Sequence, residues 1–169
     1  MRDRSIQEKF MRIALQEAKR AFDEGEVPVG ALIELDGAIV ARGHNTRERD
    51  GDPTAHAEIV AIKEAAGILS KGDLSKCNLY VTLEPCLMCA GAALQARIKK
   101  VFFGARDPRA GACRSLYRVL EDKRLPWRCE IEGGILAADC KKILDNFFLM
   151  LRNRRRDGRA VEGGRLEID

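Results

Sequence analysis

Three side chains in this sequence have the identities and spacing of a zinc site. Cys86 and Cys89 are three positions apart, which places both on one face of a helix turn. Pro85 fits the first position of such a helix, where its missing N–H is no loss. With the imidazole of His56, the two thiolates make three ligands for a tetrahedral zinc ion, and the fourth position stays open for water. This is the pattern of a catalytic site.

Glu58 lies two positions after His56 and is the candidate general base. A carboxylate that takes up and returns protons during hydrolysis typically contributes about 10²–10⁴ in rate. The spacing poses a geometric problem, because residues two apart on a helix point to nearly opposite sides. Both side chains can reach one metal only if it lies beyond the N-terminus of the helix that follows Pro53. The ordinary alternatives are a core histidine at 56 and a surface glutamate at 58.

The pattern His-x-Glu followed by Pro-Cys-x-x-Cys is a signature of zinc nucleobase deaminases. Longer segments around it resemble those of bacterial tRNA-specific adenosine deaminases, over roughly residues 6–151. The zinc motif alone indicates the cytidine and deoxycytidylate deaminase superfamily, and the flanking segments indicate the narrower family. These segments are Glu26–Ala31, Asp52–Ile59, Leu79–Ala92, Val101–Asp107, Gly134–Ala137 and Asn146–Phe148.

The resemblance implies a reaction, a cofactor and partners. The reaction is the zinc-dependent hydrolytic deamination of adenosine to inosine at the wobble position of a tRNA anticodon loop, with Glu58 as the proton carrier. One zinc ion per subunit is implied, as is a homodimer. The expected substrate is the anticodon stem-loop of an arginine tRNA, whose base must be turned out of the loop. Two alternatives stay open: a deaminase of free guanine or another small nucleobase or nucleoside, and a non-catalytic, zinc-stabilised RNA-binding module.

By position, the resemblance assigns substrate binding to Asn45, Val29, Ala57, Asp107 and Phe148. Asn45 is expected at the sugar or the base edge, although an asparagine in a polar loop often only holds a turn through its amide. The helical spacing of Phe148 is also that of a packed core residue. The sequence departs from the family pattern at Arg114 and at Pro126-Trp127. RNA contacts and the dimer surface near these positions do not follow from the resemblance.

Length, composition and charge bound the class of protein. The 169 residues, 46% hydrophobic and 33% charged, predict one globular domain. No apolar run approaches the length of a membrane span, and thiolate zinc ligands favour a reducing compartment, so we expect a cytoplasmic location. The net charge is only +4, yet ten Lys or Arg and three Asp or Glu lie between Arg97 and Arg128. This excess is either a nucleic-acid footprint or a solvated surface.

Interleaved strand and helix patterns predict an α/β fold, a three-layer α/β/α sandwich with a central five-stranded mixed sheet. Asp36-Gly37 between two β-rich runs predicts a hairpin, and later helical crossovers imply parallel pairing. The resemblance implies the cytidine-deaminase-like strand order 2-1-3-4-5. We predict a deaminase domain over residues 1–151 and a basic, disordered tail over residues 152–169.

Overall fold

The computed structural model describes residues 3–70 and 72–161, with side chains as far as Gly158. They form a five-stranded sheet between two layers of helices, in the order β2-β1-β3-β4-β5, which confirms the predicted sandwich. The strands are β1 (Gly30–Leu35), β2 (Ala38–His44), β3 (Asn78–Leu83), β4 (Lys100–Ala105) and β5 (Glu130–Glu132). The helices are α1 (Arg4–Asp23), α2 (Arg47–Asp50), α3 (Ala57–Ile68), α4 (Leu87–Gln95) and α5 (Ala137–Val161), with a 3-10 turn at Val119–Glu121.

Strand directions bring several loops to one edge of the sheet. β1 and β2 form the predicted hairpin, and Asp36 and Gly37 have φ values of 50° and 88°, the left-handed pair that a type I′ turn requires. β1 also pairs antiparallel with β3, whereas β3 with β4 and β4 with β5 are parallel. The start of β1 therefore lies beside the carboxyl ends of β2, β3 and β4. This edge receives every loop that carries a predicted site residue.

Alternate strand side chains face two separate helical layers. On one face Leu32, Tyr80 and Phe102 occupy paired register positions and pack with α1 and α5. The rings of Tyr80 and Phe102 are stacked, with centroids 4.4 Å apart. The other face carries Val81 and Phe103 against α3 and α4, which contribute chiefly alanine. Small side chains let these two helices lie close to the sheet and to each other.

Two strand glycines mark the closest contacts between helix and sheet. A Cβ atom on Gly30 would lie 2.0 Å from the carbonyl oxygen of Ala14 and 2.4 Å from the amide nitrogen of Ala18, both in α1. A Cβ atom on Gly43 would lie 2.6 Å from the carbonyl oxygen of Ala57 in α3. Backbone atoms cannot give way as a flexible side chain does, so both positions require glycine.

The last helix differs from the predicted tail. α5 continues past residue 151 to Val161, and its side chains from Arg152 to Gly158 are exposed. Arginine is a strong helix former, so the basic run extends the helix. Residues 162–169 lie outside the described residues, and the domain division at 151 stays a prediction. None of the described helices is both long and apolar enough to cross a bilayer.

We expect Gly30→Ala to lower the free energy of unfolding by about 1–3 kcal/mol, the usual effect of overpacking, as measured by chemical denaturation. Gly67→Ala is the control, because a Cβ atom there meets nothing within 4 Å. In α3 this second change should be neutral or should stabilise by up to about 1 kcal/mol. Equal losses in the two variants would contradict the close-contact explanation.

Candidate active site

The three predicted zinc ligands come together at the edge where β3 ends. His56 Nδ1 lies 3.5 Å from Cys89 Sγ and 3.7 Å from Cys86 Sγ, and all three ligand atoms lie within 4.8 Å of one another. Tetrahedral bonds of about 2.3 Å to sulfur and about 2.0 Å to nitrogen would separate such atoms by about 3.6 Å. The donor set and its spacing fit zinc. Among the residues that the structure describes, no fourth His, Cys, Asp or Glu joins the cluster.

Two helix starts hold these ligands. His56 is the N-cap of α3 and Cys86 is the N-cap of α4, each with extended backbone angles and no side-chain cap hydrogen bond. Both side chains can therefore turn away from their own helix and toward each other. Because His56 is extended and Glu58 lies in the first turn, the geometric problem posed by their spacing disappears. The prediction that Pro85 is the first helical residue is wrong, because α4 begins at Leu87 and Pro85 precedes its N-cap.

The two sulfur atoms differ in proton affinity. The pKa of Cys86 is lowered to about 4, chiefly by the hydrogen bond from the Cys89 thiol, against the opposing effect of burial and with help from His56. The pKa of Cys89 is raised, because its thiol is held by Cys86 and because burial disfavours a second negative charge. Zinc ligands must be deprotonated, so metal binding at this site releases at least the proton of the Cys89 thiol.

Glu58 has the environment of a proton carrier. It lies in the first turn of α3 and is 4% exposed. Burial raises its pKa to about 7, and its own backbone N–H and the charge of His56 oppose this only in part. A carboxyl group with a pKa near the working pH can both accept and return a proton.

A cavity of about 410 Å³ opens over the zinc cluster. It is lined by four of the five predicted substrate residues together with the predicted base and two ligands: Val29, Asn45, Ala57, Asp107, Glu58, His56 and Cys86. Asn45 also holds a turn, since its Oδ1 accepts the Arg47 N–H at 3.2 Å and its Nδ2 donates to the Val27 carbonyl at 3.3 Å. Asn45 therefore holds a turn and also lines the cavity, and its role in substrate binding stays a prediction.

The structure does not bring Phe148 to this cavity. Phe148 is 42% exposed, and the buried Phe147 lines the cavity instead. The two rings contact each other edge-on, with centroids 5.6 Å apart. Neighbouring helix residues differ by about 100° in direction, so a motif that matches both phenylalanines does not show which one faces the pocket.

Sequence reasoning missed several cavity residues: Gly25, Glu26, Val27, Arg47, Glu48, Leu83, Glu84, Ala110 and Leu151. Glu26 is buried, and its carboxylate accepts the N–H groups of Glu48 at 3.1 Å and Arg49 at 2.7 Å. It therefore fixes the start of α2 beside the cavity. Two of these residues had a signal in the sequence that could have indicated them. Glu26 lies in a segment that resembles the family, and Glu84 lies directly before Pro85. The four-residue α2 is too short for any periodic pattern.

The remaining histidine and cysteines stand apart from the zinc cluster. His44 ends β2 and is buried against two carboxylates, 3.0 Å from Glu24 and 3.4 Å from Glu17. The other cysteines are free, buried core residues: Cys77, Cys113, Cys129 and Cys140.

A larger cavity, of about 1130 Å³, lies at the opposite edge of the sheet, where β4 and β5 begin. Six basic residues line it: Arg97, Lys99, Arg118, Lys123, Arg124 and Arg128. The guanidinium of Arg97 also lies 3.9 Å from the ring centroid of Trp127, one of the residues that depart from the family pattern. None of the predicted catalytic, metal or substrate residues lines this cavity.

Comparisons with known proteins agree with this geometry. Residues 4–105, which include all three ligands and Glu58, match the model of the cytidine and deoxycytidylate deaminase zinc-binding region. The chain is 43% identical over 152 residues to the tRNA-specific adenosine deaminase of Bacillus subtilis (strain 168), which covers 90% of this chain and 94% of that relative. The chain belongs to the tRNA-specific adenosine deaminase family. Zinc is the cofactor of its matched domain.

Two solved structures resemble this adenosine deaminase family member. One comes from work on A-to-I editing by tRNA:A34 deaminases at the wobble position of transfer RNA. It is 40% identical to this chain with a TM-score of 0.78, and the match covers 80% of this chain and 99% of that chain. The other is guanine deaminase from Bacillus subtilis, 44% identical with a TM-score of 0.56, which covers 59% of this chain and 64% of that chain.

We expect Glu58→Ala to bind about one zinc per chain but to lose deamination by roughly 10²–10⁴, because the proton carrier is removed while the ligands remain. Metal analysis and single-turnover assays measure the two quantities. Glu64→Ala, which removes an exposed glutamate of the same helix, is the control and should keep both. Near-normal turnover by zinc-loaded Glu58→Ala would show that the assignment is wrong.

Replacement of a ligand should have a different signature. We expect Cys89→Ala to lose zinc as well as activity and to unfold at a lower temperature, because binding free energy at such a site is also folding free energy. A Cys89→Ala protein that keeps stoichiometric zinc would remove Cys89 from the ligand set.

Proposed function

We propose that this protein is a zinc-dependent hydrolase that converts adenosine to inosine at the wobble position of a tRNA anticodon loop. One observation carries the proposal. The buried carboxyl of Glu58 lines a cavity beside a three-ligand zinc cluster, in a chain that matches a tRNA-specific adenosine deaminase over 90% of its length. Three protein ligands and a nearby base are the arrangement of hydrolytic zinc sites.

The residues of the chain divide the reaction between proton transfer and binding. Zinc, when bound, lowers the pKa of water and so supplies a nucleophile at neutral pH. Glu58 takes the proton released as water adds to C6 of adenine and delivers it to N1. It then helps to protonate the leaving amine, so that one water is consumed and one ammonia is released. The raised pKa of Glu58 suits both transfers.

The cavity walls suit a planar base. Val29 and Ala57 present apolar surface, and Asn45 supplies an amide for the sugar or the base edge. Asp107 lines the same cavity on the loop after β4, and we propose that it contacts a neighbouring nucleotide. A base reaches such a pocket only when it is turned out of its loop, which single-stranded RNA loops permit.

Two other functions have unequal support. A guanine deaminase has specific support, because one solved guanine deaminase is 44% identical to this chain, although over only 59% of it. A non-catalytic RNA-binding module has less support. Structural zinc sites are usually closed by four protein ligands, and here the described residues supply three, next to a buried carboxyl group.

The proposal includes the identity of the partners. We propose that the substrate is an arginine tRNA and that the enzyme acts as a homodimer in the cytoplasm. Exposed apolar residues at the start of α4 and in the segment that follows β4 support the homodimer, because a second copy would bury them: Leu87, Leu116 and Tyr117.

The substrate assignment is tested with the anticodon stem-loop of an arginine tRNA, alongside free adenosine, cytidine and guanine. We expect inosine at the wobble position of the stem-loop and no comparable turnover of the free compounds, because the stem-loop supplies binding energy that a free base lacks. Sequencing and chromatography measure the products. Efficient conversion of guanine to xanthine, with an unmodified stem-loop, would favour the guanine deaminase instead.

We further propose that the basic cavity at the opposite edge contacts the tRNA backbone outside the anticodon loop. Arg97 and Arg124 are paired with Asp73 and Asp122. The other basic lining residues make no ion pair within the described part of the chain: Lys99, Arg118, Lys123 and Arg128. β4 separates this edge from the active-site edge by about 17 Å, five steps at about 3.3 Å.

We expect the triple alanine variant of Arg118, Lys123 and Arg128 to bind full-length tRNA more weakly. The slope of the logarithm of its binding constant against the logarithm of the salt concentration should decrease in magnitude by about one for each phosphate contact removed. Binding titrations at several salt concentrations measure this. The control removes three exposed charges from α1, in Lys9, Arg12 and Lys19. Sedimentation of both variants checks that assembly is intact. A wild-type salt slope in the cavity variant would contradict the proposed contact.

A further inference from the structure

Glu84 is a buried glutamate of the cavity that the proposed reaction does not use. It follows the last residue of β3 and precedes Pro85 and the ligand Cys86. The residue is 1% exposed and lines the cavity. A carboxylate buried to this extent is unfavourable unless hydrogen bonds replace its water. The hydrogen-bond partners of Glu84 therefore identify the segment that it positions.

Among the described residues, five groups donate hydrogen bonds to Glu84, and all of them belong to residues 107–115. These residues form the loop that follows β4, which we name the wall loop. Oε1 accepts the N–H groups of three consecutive residues, Cys113 at 3.1 Å, Arg114 at 2.6 Å and Ser115 at 2.8 Å. Oε2 accepts the Asp107 N–H at 3.0 Å and the hydroxyl of Ser115. Both ends of the wall loop are thus fixed on one carboxylate. Burial raises the pKa of Glu84, but these hydrogen bonds outweigh it and lower the pKa overall.

The middle of the wall loop closes over the same carboxylate. A Cβ atom on Gly111 would lie 2.4 Å from Cδ and 2.5 Å from Oε2 of Glu84. Gly111 also forms an isolated antiparallel bridge with Cys86, and the Ala112 N–H donates to the Pro85 carbonyl at 2.8 Å. The loop is therefore packed against the segment that leads into the zinc cluster.

The wall loop supplies one side of the cavity through Asp107 and Ala110. The Asp107 carboxylate accepts the N–H groups of Arg109 at 3.0 Å and Ala110 at 3.2 Å, which fixes its direction. We propose that Glu84 is a positioning residue that holds the wall loop, and with it Asp107, where the nucleotide beside the reacting adenosine is selected. This inference rests on the proposed function, because it concerns the same cavity and its RNA substrate.

A glutamine at this position tests the inference with little change in shape. An amide has a single acceptor oxygen, and its NH₂ group would meet either the three N–H groups at Oε1 or the two donors at Oε2. Glu84→Gln should therefore loosen the wall loop. Glu58 and the three zinc ligands do not touch the changed atoms.

We expect zinc-loaded Glu84→Gln to show a KM for the anticodon stem-loop raised about tenfold or more, with kcat within about threefold of wild type. Discrimination against stem-loops with a changed base beside the wobble adenosine should fall by a similar factor. Amide hydrogen exchange should be at least about tenfold faster at the N–H groups that face the new NH₂ group, either Asp107 or Cys113, Arg114 and Ser115, because these N–H groups lose their acceptor. Steady-state kinetics, metal analysis and NMR measure these quantities.

Glu34→Gln is the matched control. Glu34 is equally buried, and its carboxylate accepts from the Gly37 N–H and from Asn78 Nδ2 at the other edge of the sheet. This variant should lose stability but keep the wild-type KM, discrimination and exchange in the wall loop. Should Glu84→Gln fail to fold, Ser115→Ala removes one of the five donors and should raise KM and relax discrimination to a smaller extent.

Three results would overturn the inference: unchanged KM and discrimination, a fall in kcat at constant KM, or loss of zinc in the folded Glu84→Gln protein. Failure of the proposed function looks different. Wild type and Glu34→Gln would then both leave the stem-loop unmodified, whereas amide exchange would still report whether Glu84 holds the wall loop.

Discussion

Two helices must begin within bonding distance of one metal ion, and this requirement organises the molecule. His56 and Cys86 occupy N-cap positions, which are usually taken by residues that bond their own helix. Here both side chains turn outward to the shared site instead. The meeting is possible because β1 pairs antiparallel with both β2 and β3, so the loops before α3 and α4 leave the sheet at the same edge. Alanine-rich helix faces then let α3 and α4 lie side by side.

Three buried glutamates surround the same cavity, and their hydrogen bonds distinguish their tasks. Glu26 accepts backbone N–H groups at the start of α2, and Glu84 accepts five donors of the wall loop. Both side chains therefore serve as structural anchors. Burial dominates at Glu58, whose pKa rises to about 7. Its environment therefore singles it out as the group that can exchange protons.

The residues that could be predicted from the sequence are those whose chemistry is local. The zinc ligands are specified by residue type and short spacing, and the hairpin is specified by Asp36-Gly37. The strand order came from family resemblance. The five hydrogen bonds of Glu84 could not be predicted, because four of their donors are backbone N–H groups, which leave no signal in residue type. The continuation of α5 was missed because a basic run was read as disordered, although arginine favours a helix.

Gly43 shows how a strand that supplies no ligand controls the metal geometry. It lies under the first turn of α3, and a methyl group there would overlap the carbonyl oxygen of Ala57, the residue that follows His56. Metal–ligand distances are held to within about 0.2 Å, and the displacement needed to relieve that overlap is larger. The position of His56 at the zinc site thus depends partly on the missing Cβ atom of Gly43, in the strand under α3. A side chain at Gly43 would therefore disturb the position of His56, although Gly43 is not one of the ligands.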